Sequence, residues 1–410
     1  MKLCFFIAQV YARAGGGHAR SLETTAAALS GKHDCFVVVV GPYPSPIFAA
    51  SGLRTHHVRF TGWNLAAALY RAYRIVSEER PDVLHLFDAR IDIFARALSL
   101  WTRIPMIFTK CGGPAPGRYF PWHGDLIVYS REDVAWFSGN PKYADTRIHH
   151  LPNRLAPFDC DPAQVDALRA QLEPGVPVLL RIARFCGHYE KSMSQGIALV
   201  KRLNAEGVAC QFAIVGTVQD QESYTRIAAL ANEHVHFFTE PRFTADAKAL
   251  LDAADLVIGT GRGFMEAASR GRILLTPLAE GEIPLLVTRD AFESVFATNF
   301  SPRNRVDGYD EEANYARIKR ALTDPDYRRE LADLAALLNA ENFDIYAALG
   351  QYDALYRDLR FRRRRPLLDL AHGAYKAVQS LHNARKHARI AERAKKAGVA
   401  EVAGARGEDA

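Results

Sequence analysis

The sequence predicts an α/β protein of two doubly wound, parallel-sheet units followed by a basic helical tail. Three observations carry that expectation. Short apolar runs alternate with amphipathic stretches through both halves of the chain, the pattern of parallel strands covered by helices. At 410 residues the chain exceeds the size at which a single core stops growing, so two domains are expected. The charge is also divided unevenly. The whole chain carries +6, but residues 362–410 hold twelve Lys/Arg against five Asp/Glu, a net of +7 that leaves the preceding residues at −1.

In the first half, strands are expected near Leu3–Ala8, Cys35–Val40, Val83–Phe87, Met106–Thr109 and Leu126–Tyr129. Between them SLETTAAALS and NLAAALYRAYRIVSEERP read as helices, the second stopped by Pro81. The alternation pauses after Leu151-Pro152-Asn153. Asp161 and Pro162 then supply an N-cap and a first-turn proline for AQVDALRAQL, which places a domain boundary between 155 and 165. Strands resume near Val178–Ile182, Gln211–Val215, Val235–Phe238, Leu256–Ile258 and Ile273–Thr276. The expected division is therefore 1–158 and 159–342, with a 343–361 helix returning towards the first domain and a partly amphipathic tail over 362–410. In that helix Ile345, Leu349, Tyr352, Leu355 and Tyr356 recur at helical spacing.

Composition narrows the class. With 49% hydrophobic and 24% charged residues the chain has the ordinary composition of a globular protein. Its six cysteines form no CxxC pair, which fits reduced thiols in a cytoplasmic enzyme and excludes a disulfide framework or a zinc site. The N-terminal LCFFIAQVYARA reads as a buried strand, not a signal peptide, because Gln9 interrupts it and a glycine loop follows. No run approaches the ~18 apolar residues that span a bilayer.

Three segments could carry chemistry. AGGGHARS follows the first strand and precedes a helix. Its glycines permit a sharp turn and close backbone approach, and the helix start favours an anion or a hydroxyl. It is not GxGxxG, and a tight strand-to-helix turn is the alternative. DLVIGTGRGFMEAASRGRILL packs a strand, a glycine loop, a short helix and the next strand together. Gly259, Gly261 and Gly263 allow a diphosphate to approach a helix start expected near Gly263. Glu266, expected in the first turn, could accept two bonds from a ribose or merely complement the dipole. In LLRIARFCGHYEKS a strand end releases Arg184 and then Lys191, two cations suited to a leaving phosphate, or else a solvated loop paired with Glu190.

The order and content of these motifs resemble the group 1 (family 4) retaining glycosyltransferases over roughly residues 1–360. Gly15, Gly16 and Gly17 match the family's first loop, RPDVLHLFD with His85 its PDVVHxH-like strand, Leu151-Pro152-Asn153 its IPN element, and GFMEAASRG a compact form of its GFxxxEAxxxG element. The resemblance implies the GT-B fold, two Rossmann-like domains facing across a cleft. It implies that Arg184 and Lys191 bind the donor diphosphate as catalytic cations and that Glu266 holds the ribose, with Arg262, Gly263, Phe264 and Gly216 completing the donor site. Gly16, Gly17, His18 and Lys110 are expected on the acceptor side. The chain departs from the family in three ways: Ile258 stands where the first glutamate of the usual pair belongs, the Arg-to-Lys spacing is longer, and FTKCGGP with Lys110 and Cys111 replaces a common histidine.

The function expected is transfer of a sugar from a nucleotide diphosphate sugar to a saccharide or lipid-linked saccharide, with retention, in bacterial-type surface glycan synthesis. No cofactor and no metal are expected, since no DxD loop or ligand cluster appears, so protein cations and dipoles must stabilise the leaving group. Two other readings stay open: a nucleotide-sugar epimerase of the same fold, and a non-catalytic nucleotide-sugar-binding protein. In the tail, Leu367, Leu370, Ala374, Val378 and Leu381 form one stripe bracketed by basic residues. This suits an anionic membrane surface, or packing on the enzyme with a solvated end. Nucleic acid is not expected as a partner, because the charge is not interleaved with stacking aromatics.

Overall fold

The computed structural model describes residues 1–10, 17–117 and 120–362, with nine further positions between 375 and 389. Its contacts divide the chain into two compact units, one from Met1 to Ala156 joined by the residues from Ile345 onward, the other Pro157–Asp344.

The first unit is built on a seven-stranded sheet of β1 Lys2–Ala8, β2 Asp34–Gly41, β3 Arg54–Arg59, β4 Val83–Leu86, β5 Met106–Lys110, β6 Asp125–Val128 and β7 Arg147–His150. The order is β3-β2-β1-β4-β5-β6-β7 and every pairing is parallel. Because side chains alternate across a strand, β1 feeds two cores. Leu3, Phe5 and Ile7 face one, while Cys4 and Phe6 face the other. A strand buried on both faces needs an unbroken apolar run, and LCFFI supplies one. The Ile345–Asp358 helix returns to this unit and buries Ile345, Ala348, Tyr352, Leu355 and Tyr356 in the core that holds Leu3 and Phe5.

The second unit repeats the plan in a six-stranded sheet of β8 Val178–Ile182, β9 Gln211–Val215, β10 Val235–Phe238, β11 Leu256–Ile258, β12 Ile273–Thr276 and β13 Leu285–Leu286. The order is β10-β9-β8-β11-β12-β13, parallel except for the antiparallel β12–β13 pair. Met193, Ile197, Val200 and Leu203 of the Gly187–Ala205 helix pack on Leu179, Phe212 and Ile258 of the sheet.

The predicted two-unit α/β architecture is thus the one observed. Three strands are additional, β3, β7 and β13. All lie at sheet edges, where one flank needs no apolar cover, and RTHHVR and RIHH carry polar residues accordingly. The tail expectations fall mostly outside the described residues. Among those described, Arg385 Nε donates to Gly62 O at 3.0 Å, and its guanidinium lies 3.8 Å above the Trp63 ring.

Candidate functional site

In each sheet the strand order reverses beside the first strand of the unit, between β1 and β4 and between β8 and β11. Crossovers on either side of such a point leave to opposite faces, which opens a crevice beyond the carboxyl ends of the strands. The second unit places both of its predicted motifs there, one on β8 and one on the adjacent β11.

After β11 the chain passes Gly259, Thr260 and Gly261 into the Arg262–Ser269 helix. Gly259 is required by packing, since a Cβ there would stand 2.4 Å from the Phe264 Cα. Gly261 holds φ 49° and ψ −123°, a conformation open to glycine and costly for other residues. This turn starts the helix one residue earlier than the sequence suggested. Glu266 is therefore the fifth helical residue and not part of the first turn. Its Oε1 accepts from Arg262 Nε at 2.9 Å, so Arg262 and Glu266 form an i,i+4 pair of largely buried side chains. The amides of Gly263 and Phe264, expected to face a ligand, instead donate to Thr260 O at 3.1 Å and Gly261 O at 3.2 Å. The Phe264 side chain is buried and stacks on Phe300 at 3.7 Å. It belongs to an aromatic cluster with Phe292, Phe296 and Phe343 and is no part of a polar site.

From β8 the chain releases Arg184, exposed, with its guanidinium 5.9 Å from the Tyr189 ring centre. The helix opens at Gly187, which puts Lys191 in its second turn. Lys191 Nζ donates to Gly281 O at 3.4 Å. Glu190, the partner a solvated loop would use, pairs with Arg226 at 2.6 Å. Neither Arg184 nor Lys191 is in an ion pair among the described residues. Gly216 follows β9, where a Cβ would stand 1.8 Å from Ala183 O. Its amide donates to Phe238 O at 3.1 Å, so close strand approach accounts for this glycine.

One residue that sequence reasoning passed over joins the two motifs. Arg181 lies inside β8 with 1% of its surface exposed. Its Nε donates to Ser192 Oγ at 3.0 Å, Nη1 to Ile258 O at 2.9 Å and Nη2 to Thr260 Oγ1 at 3.0 Å. The available signal was a charged residue in the middle of an apolar strand, VLLRI.

In the first unit Gly17 opens the Gly17–Leu29 helix and His18 is exposed, while Gly16 lies outside the described residues. Lys110, at the end of β5, is buried in an ion pair with Asp133, 3.0 Å from Oδ1. It is thereby a structural cation, not an open acceptor contact. Burial raises the Asp133 carboxyl against the pull of Lys110. Asp88 and Arg90, unremarked in the sequence, form a two-pronged pair beyond β4, with Arg90 Nε 3.0 Å from each carboxylate oxygen. His85 is a core pin. Its ring nitrogens lie 2.8 Å from Tyr356 Oη and 2.7 Å from Thr109 Oγ1, and burial pushes its pKa down to about 3. Among the described residues no group of three or more His, Cys, Asp or Glu could hold a metal ion.

Residues 15–137 match the family model of the glycosyl transferase 4-like domain. No curated protein matches the chain. Among solved structures it is similar to Alr3699/HepE of Anabaena in complex with UDP and glucose, at 16% identity and a TM-score of 0.62 over 88% of this chain and 100% of that one. It is similar also to a glycosyltransferase from Rickettsia africae, at 13% identity and a TM-score of 0.64 over 87% and 98%. Sucrose-phosphate synthase from Thermosynechococcus elongatus follows at 16% identity and a TM-score of 0.59 over 87% and 98%. With its two parallel-sheet units, the chain has the GT-B glycosyltransferase fold.

Proposed function

We propose that the protein is a retaining glycosyltransferase that moves a sugar from a nucleotide diphosphate sugar to a saccharide or lipid-linked saccharide in surface glycan synthesis. The observation that carries this reading is the meeting of two motifs at the β8/β11 switch point. Arg184 and Lys191, free of carboxylate partners among the described residues, follow one strand, and a glycine turn leading into a helix bearing Glu266 follows the next. Departure of a nucleoside diphosphate builds negative charge on its β-phosphate. Two fixed cations and a helix start placed there stabilise that charge more in the transition state than in the bound donor. Glu266, released from Arg262, accepts from ribose hydroxyls. The reaction needs no metal in this scheme, and Gly17 and His18 of the first unit contact the acceptor. The match to the glycosyl transferase 4-like domain and the UDP complex of the Anabaena structure support the same reading.

The test is incubation of the protein with UDP-, GDP- and ADP-sugars. Slow release of one nucleoside diphosphate, with the freed sugar keeping its anomeric configuration, is expected. Conversion of the donor to an epimer without net release of nucleotide, or binding without turnover, would contradict transfer.

A further inference from the structure

Arg181 presents an unusual electrostatic arrangement. A guanidinium with 1% exposure has left water without a carboxylate to meet it, since no ion pair involves it among the described residues. Its three bonds go to a serine hydroxyl, a backbone carbonyl and a threonine hydroxyl, and its charge lies 5.6 Å from the centre of the Tyr189 ring. Neutral acceptors and a π face offset only part of the desolvation cost of a buried ion. Burial accordingly pushes its pKa down to about 10, which leaves it charged at neutral pH.

The contacts are not scattered. Ser192 adjoins Lys191, Tyr189 also lies against the Arg184 guanidinium, and Ile258 and Thr260 flank Gly259 of the glycine turn. Arg181 therefore ties the β8 cations to the β11 turn at the point where the strand order reverses. Each of the two motifs contains groups that would touch a diphosphate, and this side chain sits beneath both.

We propose that Arg181 is a positioning residue for a diphosphate anion: it fixes the glycine turn relative to Lys191, and its uncompensated charge is balanced only when the anion occupies the turn. This inference rests on the nucleotide-sugar reading above and adds to it the source of the site's standing positive potential. Two consequences separate it from a purely structural role. An apolar residue of similar length should still fold, because it removes a desolvated charge along with the three hydrogen bonds. The same change should weaken anions in proportion to their charge.

The experiment compares wild type, Arg181→Met and Arg181→Lys by thermal melting and by calorimetric titration with UDP, GDP and ADP, each beside its monophosphate. For the diphosphate that wild type binds, Arg181→Met should melt cooperatively as a folded protein and bind about tenfold more weakly, with a smaller loss for the monophosphate. Arg181→Lys, which keeps the charge, should recover most of the diphosphate affinity. Equal diphosphate affinity in wild type and Arg181→Met overturns the inference alone. If Arg181→Met does not fold, Arg181→Lys decides: affinity within about threefold of wild type upholds the role of charge, and a tenfold loss in a folded Lys variant overturns it. Absence of diphosphate binding by wild type overturns the nucleotide-sugar reading, and this inference with it.

Discussion

At the scale of residues, the strongest local pattern was read correctly in outline and shifted in detail. DLVIGTGRGFMEAASRG announced a strand, a turn and a helix, but the φ of Gly261 starts the helix at Arg262 and moves Glu266 into an i,i+4 pair. Sequence spacing does not reveal which residue takes the special turn. A paired Glu266 is still accessible to a ligand, since an exchange of Arg262 for two ribose hydroxyls keeps its acceptors satisfied. Glu266→Ala should weaken donor binding by about tenfold to a hundredfold, the 1.5–3 kcal/mol of hydrogen bonds to a charged group. Lys191→Ala should lower turnover by about a hundredfold, the usual loss for one preorganised stabilising group. Titration and initial rates on the folded variants check both, and wild-type values in the pair would remove the site assignment. Phe264 should behave in the opposite way. Buried against Phe300 and its neighbours, it should cost about 3–5 kcal/mol of stability when truncated to alanine. Urea unfolding measures this, and an unchanged midpoint would contradict its place in the core.

At the scale of elements, the sequence disclosed the buried strands and concealed the edges. An apolar run such as LCFFI has one reading at its length, whereas RTHHVR becomes a strand only through its pairing with β2. The same limit applies to buried polar residues. His85 stood out as a motif residue, yet its contacts to Thr109 and Tyr356 join β4 to β5 and to the returning helix, a relation no local window contains. His123 was unremarked. It is buried, stacks on Phe108 at 4.6 Å and has its pKa pushed down to about 4 by burial. Both imidazoles are neutral in the fold and bind a proton on unfolding, where the ordinary value is about 6.5. Their contribution is therefore fully present above about pH 6.5 and is lost as the pH falls towards the folded values of about 3 and about 4. Within that window each subtracts up to about 1.4 kcal/mol per pH unit. His123→Phe should flatten the fall in stability between pH 6.5 and 4.5 in denaturant melts. A slope equal to that of the wild type would show that His123 does not titrate on unfolding.

At the scale of the whole molecule, two parallel sheets with the same order of their first strands were legible because alternating strands and helices admit few arrangements of right-handed crossovers. Surface association was less legible, because it depends on what the fold leaves uncovered. Trp63, Tyr70, Tyr73, Leu100 and Trp101 remain exposed, with Tyr73 and Trp101 in edge contact at 6.0 Å and Arg385 over Trp63. Among the described residues no helix is long and apolar enough to cross a membrane. Aromatic rings beside cations suit the interface of an anionic bilayer, in line with the expectation that the basic tail meets an anionic membrane surface. Full-length protein should sediment with anionic vesicles at low salt, and a chain ending at Leu359 should do so more weakly. Equal partitioning of the two would remove the tail from the account.

The central claim is that a diphosphate occupies the β8/β11 switch point of the second unit. A crystal structure of the complex with whichever of UDP, GDP and ADP raises the melting temperature most tests it directly. The account predicts phosphate oxygens within hydrogen-bond distance of Lys191 or Arg184 and against the Gly259–Gly263 turn, with the Arg262–Glu266 pair opened and Glu266 on the ribose. A diphosphate bound at the Gly17 helix start of the first unit, or a nucleotide that leaves Lys191, Arg184 and the turn untouched, would contradict it.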